Sequence, residues 1–164
     1  MESMTESVPG TKVSLPRFGE FIYSETDVIE FPWGLPGFPT LHRWLLLTLE
    51  SQPSFVWLQC LDDVNVSLPT ANPWLIFEDY DPTLPTYTVF ALDIQHADEF
   101  CLLCTIVCTR DARDLTMNLA APIVVNLRTR KARQVQIERS DYGVCEPIPR
   151  KEADVPAELV AKAS

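Results

Sequence analysis

The chain has 164 residues, 46% of them hydrophobic, with 14 prolines and a net charge of −10. That is enough apolar material for one domain with a packed core and too much for a chain disordered throughout. It is also too much proline for long helices, and the wrong overall sign for a molecule drawn to nucleic acid or anionic membrane.

The first residues, MESMTESVPGTK, carry charges and no apolar run, which is not the pattern of a signal peptide. Residues 1–15 are therefore predicted to be a disordered leader, residues 16–149 a single domain, and residues 150–164 a flexible tail. The first strand is predicted at FGEFIY (18–23). Next comes FPWGLPGFP (31–39), in which prolines and glycines alternate with large apolar side chains. Pro36-Gly37 has the chemistry of a type II turn, and Pro32 suits the second position of another turn ending at Gly34. The stretch reads as a stiff double turn whose side chains Phe31, Trp33, Leu35 and Phe38 plug one end of a β structure. Burying one such ring contributes about 2–3 kcal/mol.

RWLLLTL (43–49) and FVWLQCL (55–61) are almost wholly apolar and predict strands buried on both faces. YTVFALDI (87–94) alternates and is predicted as a strand with Phe90, Leu92 and Ile94 on one side. CLLCTIVCT (101–109) is a further buried strand. DLTMNL (114–119) is predicted as a short helical turn, with Asp114 as N-cap and Pro122 as its stop. IVVNLR (123–128) places Ile123, Val125 and Leu127 on one side and Asn126 and Arg128 on the other. RQVQIE (133–138) places Val135 and Ile137 inside, and TRKA (129–132) joins the two as a hairpin. Many strands with short connections predict an all-β barrel or sandwich.

The longest apolar run, near Cys101 to Cys108, is far shorter than the ~20 residues of a membrane span. A cytoplasmic protein with reduced cysteines is the reading, and five cysteines do not suggest a disulfide framework. Cys101 and Cys104 stand in CxxC spacing, but on a strand they point to opposite faces, and no second pair completes a zinc site. Cys104 and Cys108 do share a face, which leaves an oxidative sensitivity open. His42 and His96 fall in no metal or nucleophile pattern. No cofactor, no metal and no catalytic site is expected.

The charge is unevenly spread. Residues 20–99 hold thirteen acidic residues and one basic residue, Arg43, whereas residues 100–140 hold seven basic and three acidic. A negative field of this kind speeds encounter with a cationic partner, and it also serves solubility. The clusters Asp62-Asp63 and Glu78-Asp79-Tyr80-Asp81 stand out, the second directly after the apolar set Trp74-Leu75-Ile76-Phe77. Large apolar residues rimmed by charge are the chemistry of a protein interface. Arg128, Arg130, Lys131, Arg133 and Arg139 form a basic patch on the last hairpin. It is read either as edge protection or as an RNA-binding stripe lacking interleaved aromatics.

RFGEF (17–21), DVIEFPWGLPGF (27–38), WLQCLDD (57–63), FEDYD (77–81), LTMNLAAPIVVNLRTRKARQV (115–135) and SDY (140–142) run in an order that resembles the FliW family of flagellar assembly factors. The resemblance spans roughly residues 17–148. It implies a small, mostly β cytoplasmic protein with a barrel-like fold of antiparallel strands, a monomer when free, with two partners. One is flagellin, held before export. The other is CsrA, an RNA-binding repressor of flagellin synthesis, which the free protein inhibits allosterically. It implies no direct contact with nucleic acid or membrane. Glu78, Asp79, Tyr80 and Asp81 match the family's acidic-aromatic loop and are the first candidates for partner binding, followed by Asp62 and Asp63. Three departures mark this chain: VNVSLPTANPW, with Pro69 set to break a strand ladder; Ala132 where the hairpin is expected to carry Gly; and a tail longer than the family needs.

Overall fold

A computed structural model describes residues 10–108, 114–137 and 141–149. Eleven strands and one short helix follow one another: β1 (Thr11–Leu15), β2 (Gly19–Tyr23), β3 (Ile29–Glu30), β4 (Arg43–Leu49), β5 (Gln52–Cys60), β6 (Ser67–Ala71), α1 (Thr86–Ala91), β7 (Phe100–Cys108), β8 (Leu115–Met117), β9 (Ile123–Asn126), β10 (Lys131–Gln134) and β11 (Glu146–Pro147). Strands β3, β4, β5, β6, β7, β9 and β10 pair in a closed ring of seven, so the barrel-like architecture expected from the sequence is what the chain forms. All pairings in the ring are antiparallel except a single parallel contact, Lys131 to Glu30, between β10 and β3. β7 pairs β9 along its first half and β8 along its second, and β11 adds to β8. Among the described residues, no helix is long and apolar enough to cross a membrane.

Alternation along each strand fills the barrel. Ile29, Trp44, Leu58, Leu103, Ile123, Val125 and Ala132 form the interior cluster. The outward residues of the same strands are also covered, which is why β4, β5 and β7 are apolar on both faces. The β1–β2 hairpin lies over Leu45 and Leu47. The segment after β6, together with β8 and β11, covers Trp57, Leu102 and Cys104. Cys101 and Cys104 belong to these two separate clusters, as expected of neighbours three apart on a strand. The side chain of Cys108 lies outside the described residues.

Several expectations are corrected. The leader does not extend to residue 15: Thr11–Leu15 pairs along its whole length with β2, and Leu15 is buried against Leu45 and Leu47. Residues 1–9 and the tail 150–164 lie outside the described residues. The strand expected at 87–94 is instead helix α1. Pro85 fixes φ at −59° at its start, and Thr88 and Leu92, four apart, are buried while Phe90 is 80% exposed. The helical spacing of the buried pair overrides the β-rich composition. The reverse happens at 114–119. Leu115 and Met117 are buried on either side of a half-buried Thr116, and the segment is strand β8 rather than a helical turn.

The hairpin β9–β10 forms as expected, with a shifted turn. Its left-handed residue is Arg130, at φ 61°, while Ala132 pairs with Val125 inside the barrel and needs no glycine. Asn126 is fully buried. Its Oδ1 accepts the Arg128 and Thr129 N–H groups at 2.9 and 3.2 Å, and its Nδ2 donates to the Leu92 carbonyl at 2.7 Å. One buried amide thus ties the hairpin turn to the end of α1. Leu127, expected on the same side as the buried Ile123 and Val125, is exposed. Pro69 leaves the β5 ladder intact, opposite Trp57, but β6 meets β7 only at Thr70 and Ala71.

The FPWGLPGFP stretch is the double turn read from its sequence. Gly34 N–H donates to the Phe31 carbonyl at 2.9 Å, and Phe38 N–H to the Leu35 carbonyl at 2.7 Å across Pro36-Gly37. Gly34 and Gly37 have φ of 69° and 88°. Phe31 and Leu35 are buried in the interior cluster, and Phe31 and Phe38 both meet Trp44 edge-on, at 5.9 and 6.4 Å. Trp33 is not part of the plug. It is 50% exposed, with the Arg133 guanidinium over its ring.

Candidate functional site

The acidic loop is built outward from β6. Asn72 Oδ1 accepts the Trp74 N–H at 2.9 Å and, with Pro73 beginning the turn, caps a single 3₁₀ turn over Pro73–Leu75. Phe77 N–H returns to the Pro73 carbonyl at 2.7 Å, and Tyr80 N–H to the Phe77 carbonyl at 3.0 Å. The Trp74 indole N–H then closes the loop on the Tyr80 carbonyl at 2.7 Å. Trp74 and Leu75 are exposed, as the sequence suggested, while Ile76 and Phe77 are half-buried against the core.

Tyr80 is the anchor of this loop, not a contact residue on its surface. It is 4% exposed, and its hydroxyl donates to the Leu119 carbonyl at 2.7 Å. Its ring meets Tyr142 edge-on at 4.7 Å. Burial pushes the Tyr80 phenol well above the ordinary tyrosine range, and burial likewise pushes the neighbouring Cys104 thiol up to about 12. Both groups stay protonated and neutral in the core. The Tyr142 hydroxyl accepts the Asp81 N–H at 2.8 Å, which joins the loop to the segment beginning at residue 141.

Around this tyrosine pair opens a cleft of about 610 Å³. Its apolar floor is Ile76, Phe77 and Leu119, its rim the carboxylates Glu78, Asp79, Asp141 and Glu146, and Tyr142 stands between them. Glu146 Oε2 accepts the Gly143 N–H at 2.8 Å, so that wall is fixed by its own turn. Four carboxylates above apolar and aromatic surface suit a cationic, partly apolar protein segment: aliphatic stems pack on the floor while ammonium or guanidinium groups meet the rim. Asp81 is exposed beside the cleft and does not line it.

The other candidates lie elsewhere. Asp62 and Asp63 follow β5 and precede β6, whereas the cleft loop follows β6, a strand about 13 Å long. Asp62 Oδ2 accepts the His42 and Arg43 N–H groups at 2.7 and 3.0 Å, and Asp63 Oδ1 accepts the Asn65 N–H at 3.1 Å. Both stitch turns, so the structure separates them from Glu78 and Asp79. The residues the sequence reading missed are Asp141, Tyr142 and Glu146. The SDY segment, 60 residues downstream of the loop it meets, holds Asp141 and Tyr142, while Glu146 lies beyond it.

The basic hairpin is largely occupied. Arg128 pairs with Asp93 at 3.0 Å and with Glu99 at 3.2 Å, and Arg130 donates to the Asp27 carbonyl at 3.0 Å. The Arg128 hydrogen bond holds the Asp93 carboxyl below its usual range, while Glu99 is lowered first by the Gln95 N–H and then by Arg128. Arg139 lies outside the described residues. Among the described residues no group of three or more His, Cys, Asp or Glu is placed to hold a metal ion.

Residues 12–148 match the family model of the FliW protein. The chain is 31% identical over 141 residues to the flagellar assembly factor FliW of Clostridium tetani, covering 86% of this chain and 97% of that one. It is 36% identical over 129 residues to the flagellar assembly factor FliW of Pseudothermotoga lettingae, covering 78% and 82%. A crystal structure of the flagellar assembly factor FliW superposes with a TM-score of 0.78 at 27% identity, over 86% of this chain and 99% of that chain.

Proposed function

The chain belongs to the FliW family of flagellar assembly factors, and from that premise we propose that it serves flagellum assembly as a binding protein and not as a catalyst. It holds flagellin in the cytoplasm before export. Freed of flagellin, it captures CsrA and relieves repression of the flagellin message from a site away from the RNA-contacting surface. The observation that carries this reading is the cleft, where Glu78, Asp79, Asp141 and Glu146 surround Tyr142 above an apolar floor.

CsrA must attract RNA and so presents positive charge. A rim of carboxylates raises the rate of encounter with such a surface, and the apolar floor supplies the desolvated contact that slows release. The loop does not need to order on binding, because Tyr80, Tyr142 and Trp74 already hold it. The RNA-binding alternative is less well supported, since Arg128 is committed to two carboxylates and Arg130 to a backbone carbonyl.

The test is co-elution of the full chain with the host's CsrA and, separately, with its flagellin, at micromolar concentrations. Complexes with both partners are expected, together with release of flagellin RNA from CsrA without direct competition for the RNA surface. Co-elution with neither partner overturns the reading. Asp81→Lys, beside the cleft, is expected to weaken the CsrA complex, and unchanged affinity removes Asp81 from the contact.

A further inference from the structure

A second surface shares no residue with the cleft. Arg133 stands on β10 next to Ala132, which faces the barrel interior, so the arginine projects outward. Its guanidinium carbon lies 4.6 Å from the centre of the Trp33 ring and 5.0 Å from that of Tyr87. Both rings are half exposed, and Phe90, three residues from Tyr87 on the same side of α1, is more exposed than either. Arg43 and Arg128 are each paired with carboxylates, whereas Arg133 has no carboxylate partner among the described residues.

In a protein of net charge −10, an arginine held between two aromatic rings and with no carboxylate partner among the described residues is a preorganised cation. Stacking fixes the orientation of the guanidinium and leaves its N–H edge for a ligand. Trp, Tyr and Arg are the residue types that most often dominate binding energy, and Trp33, Tyr87 and Phe90 present apolar surface on both sides of the charge.

We propose that Trp33, Arg133, Tyr87 and Phe90 form a docking face for an amphipathic helix of a partner protein that presents a carboxylate between two bulky apolar side chains. Charge complementarity to Arg133, which has no carboxylate partner among the described residues, selects the carboxylate. The two ring centres stand no more than about 10 Å apart, a span that the ~10.5 Å rise across seven helical residues covers. Apolar side chains at positions i and i+7 therefore reach the two rings, and a Glu or Asp at i+3 or i+4 falls over the guanidinium. Single-stranded nucleic acid also stacks on such rings, but it needs a row of cations, and Arg128 and Arg130 are already engaged.

The experiment is a fluorescence-anisotropy titration of the full chain with three labelled probes. One is an alanine-rich helical peptide with Leu at i and i+7 and Glu at i+4. The second has Lys in place of that Glu, and the third is an oligouridine RNA. The Glu peptide is expected to bind at least about tenfold more tightly than the Lys peptide. Arg133→Glu is expected to reverse that preference. Phe90→Ala, which removes a side chain exposed to solvent, is expected to weaken the Glu peptide roughly fivefold or more with the fold unchanged, and it decides the question alone should Arg133→Glu fail to fold. Glu78→Lys, in the cleft, is expected to leave this binding as it was. Equal affinity for the two peptides, no binding of the Glu peptide up to about 1 mM, indifference to Phe90→Ala, or preference for the RNA overturns the proposal.

Discussion

Gly34 and Gly37 both have positive φ, three residues apart in the same double turn, yet alanine at the two positions should cost different amounts. At Gly37 an added Cβ meets nothing within 4 Å, so Gly37→Ala carries only the left-handed penalty of about 1–2 kcal/mol. At Gly34 the same atom lies 2.5 Å from the Pro39 carbonyl oxygen and 2.7 Å from its Cα. These are backbone atoms of a proline and cannot swing aside. Relief requires Pro39 to move, and with it the Leu35–Phe38 bridge that seats Leu35 in the barrel end. Overpacking of this kind adds about 1–3 kcal/mol, so Gly34→Ala should destabilise by about 2–5 kcal/mol in total. Urea unfolding of both variants, followed by tryptophan fluorescence, reads the difference at constant m-value. Equal midpoints for Gly34→Ala and Gly37→Ala would refute the claim that the double turn is wedged against its own backbone.

Removing the Tyr80 hydroxyl with Tyr80→Phe leaves the Leu119 carbonyl without its donor, and a loss of about 1–2 kcal/mol is expected by urea unfolding. Because burial raises both Tyr80 and Cys104, the folded state holds protons that the unfolded chain releases. Their contribution is fully present below about pH 9 and is lost as pH rises beyond it, at up to about 1.4 kcal/mol per pH unit for each group. Unfolding midpoints from pH 8 to 11 should fall in wild type and fall less steeply in Tyr80→Phe, and parallel curves would exclude Tyr80 as a source. Asp62→Ala removes the acceptor of the His42 and Arg43 N–H groups and should cost about 1 kcal/mol while leaving CsrA affinity unchanged. A tenfold loss of affinity in that variant would return Asp62 to the binding site.

Strand content was legible because strands obey a two-residue period, and the runs apolar on both faces announced that each would be covered; closure was not, because a sandwich buries the same alternation, and only the family resemblance pointed to a barrel. The double turn was legible because Pro and Gly fix dihedral angles locally. Two elements were not. Residues 86–91 carry β-forming side chains on a helix, and the deciding contacts, the Leu92 and Asp93 carbonyls held by Asn126, come from over thirty residues away. Leu115 and Met117 fit a helix as well as a strand until β7 and β11 are placed beside them. The site was half legible for the same reason. Glu78 and Asp79 are adjacent in sequence, but Asp141, Tyr142 and Glu146 join them only through the fold. Tyr80 looked like part of an exposed cluster because its neighbours are charged, whereas its ring turns inward to Leu119 and Tyr142.

The central claim is that the carboxylate-rimmed cleft, and not the whole negative surface, captures the cationic regulator. Isothermal titration of the host's CsrA into the full chain and into a Glu78→Lys/Asp79→Lys double variant tests it most directly, with Asp62→Lys/Asp63→Lys as a control that changes net charge equally at the far end of β6. The account predicts at least a tenfold loss, about 1.4 kcal/mol or more, for the cleft variant and little change for the control. Equal losses in the two variants, or none in the first, would contradict it.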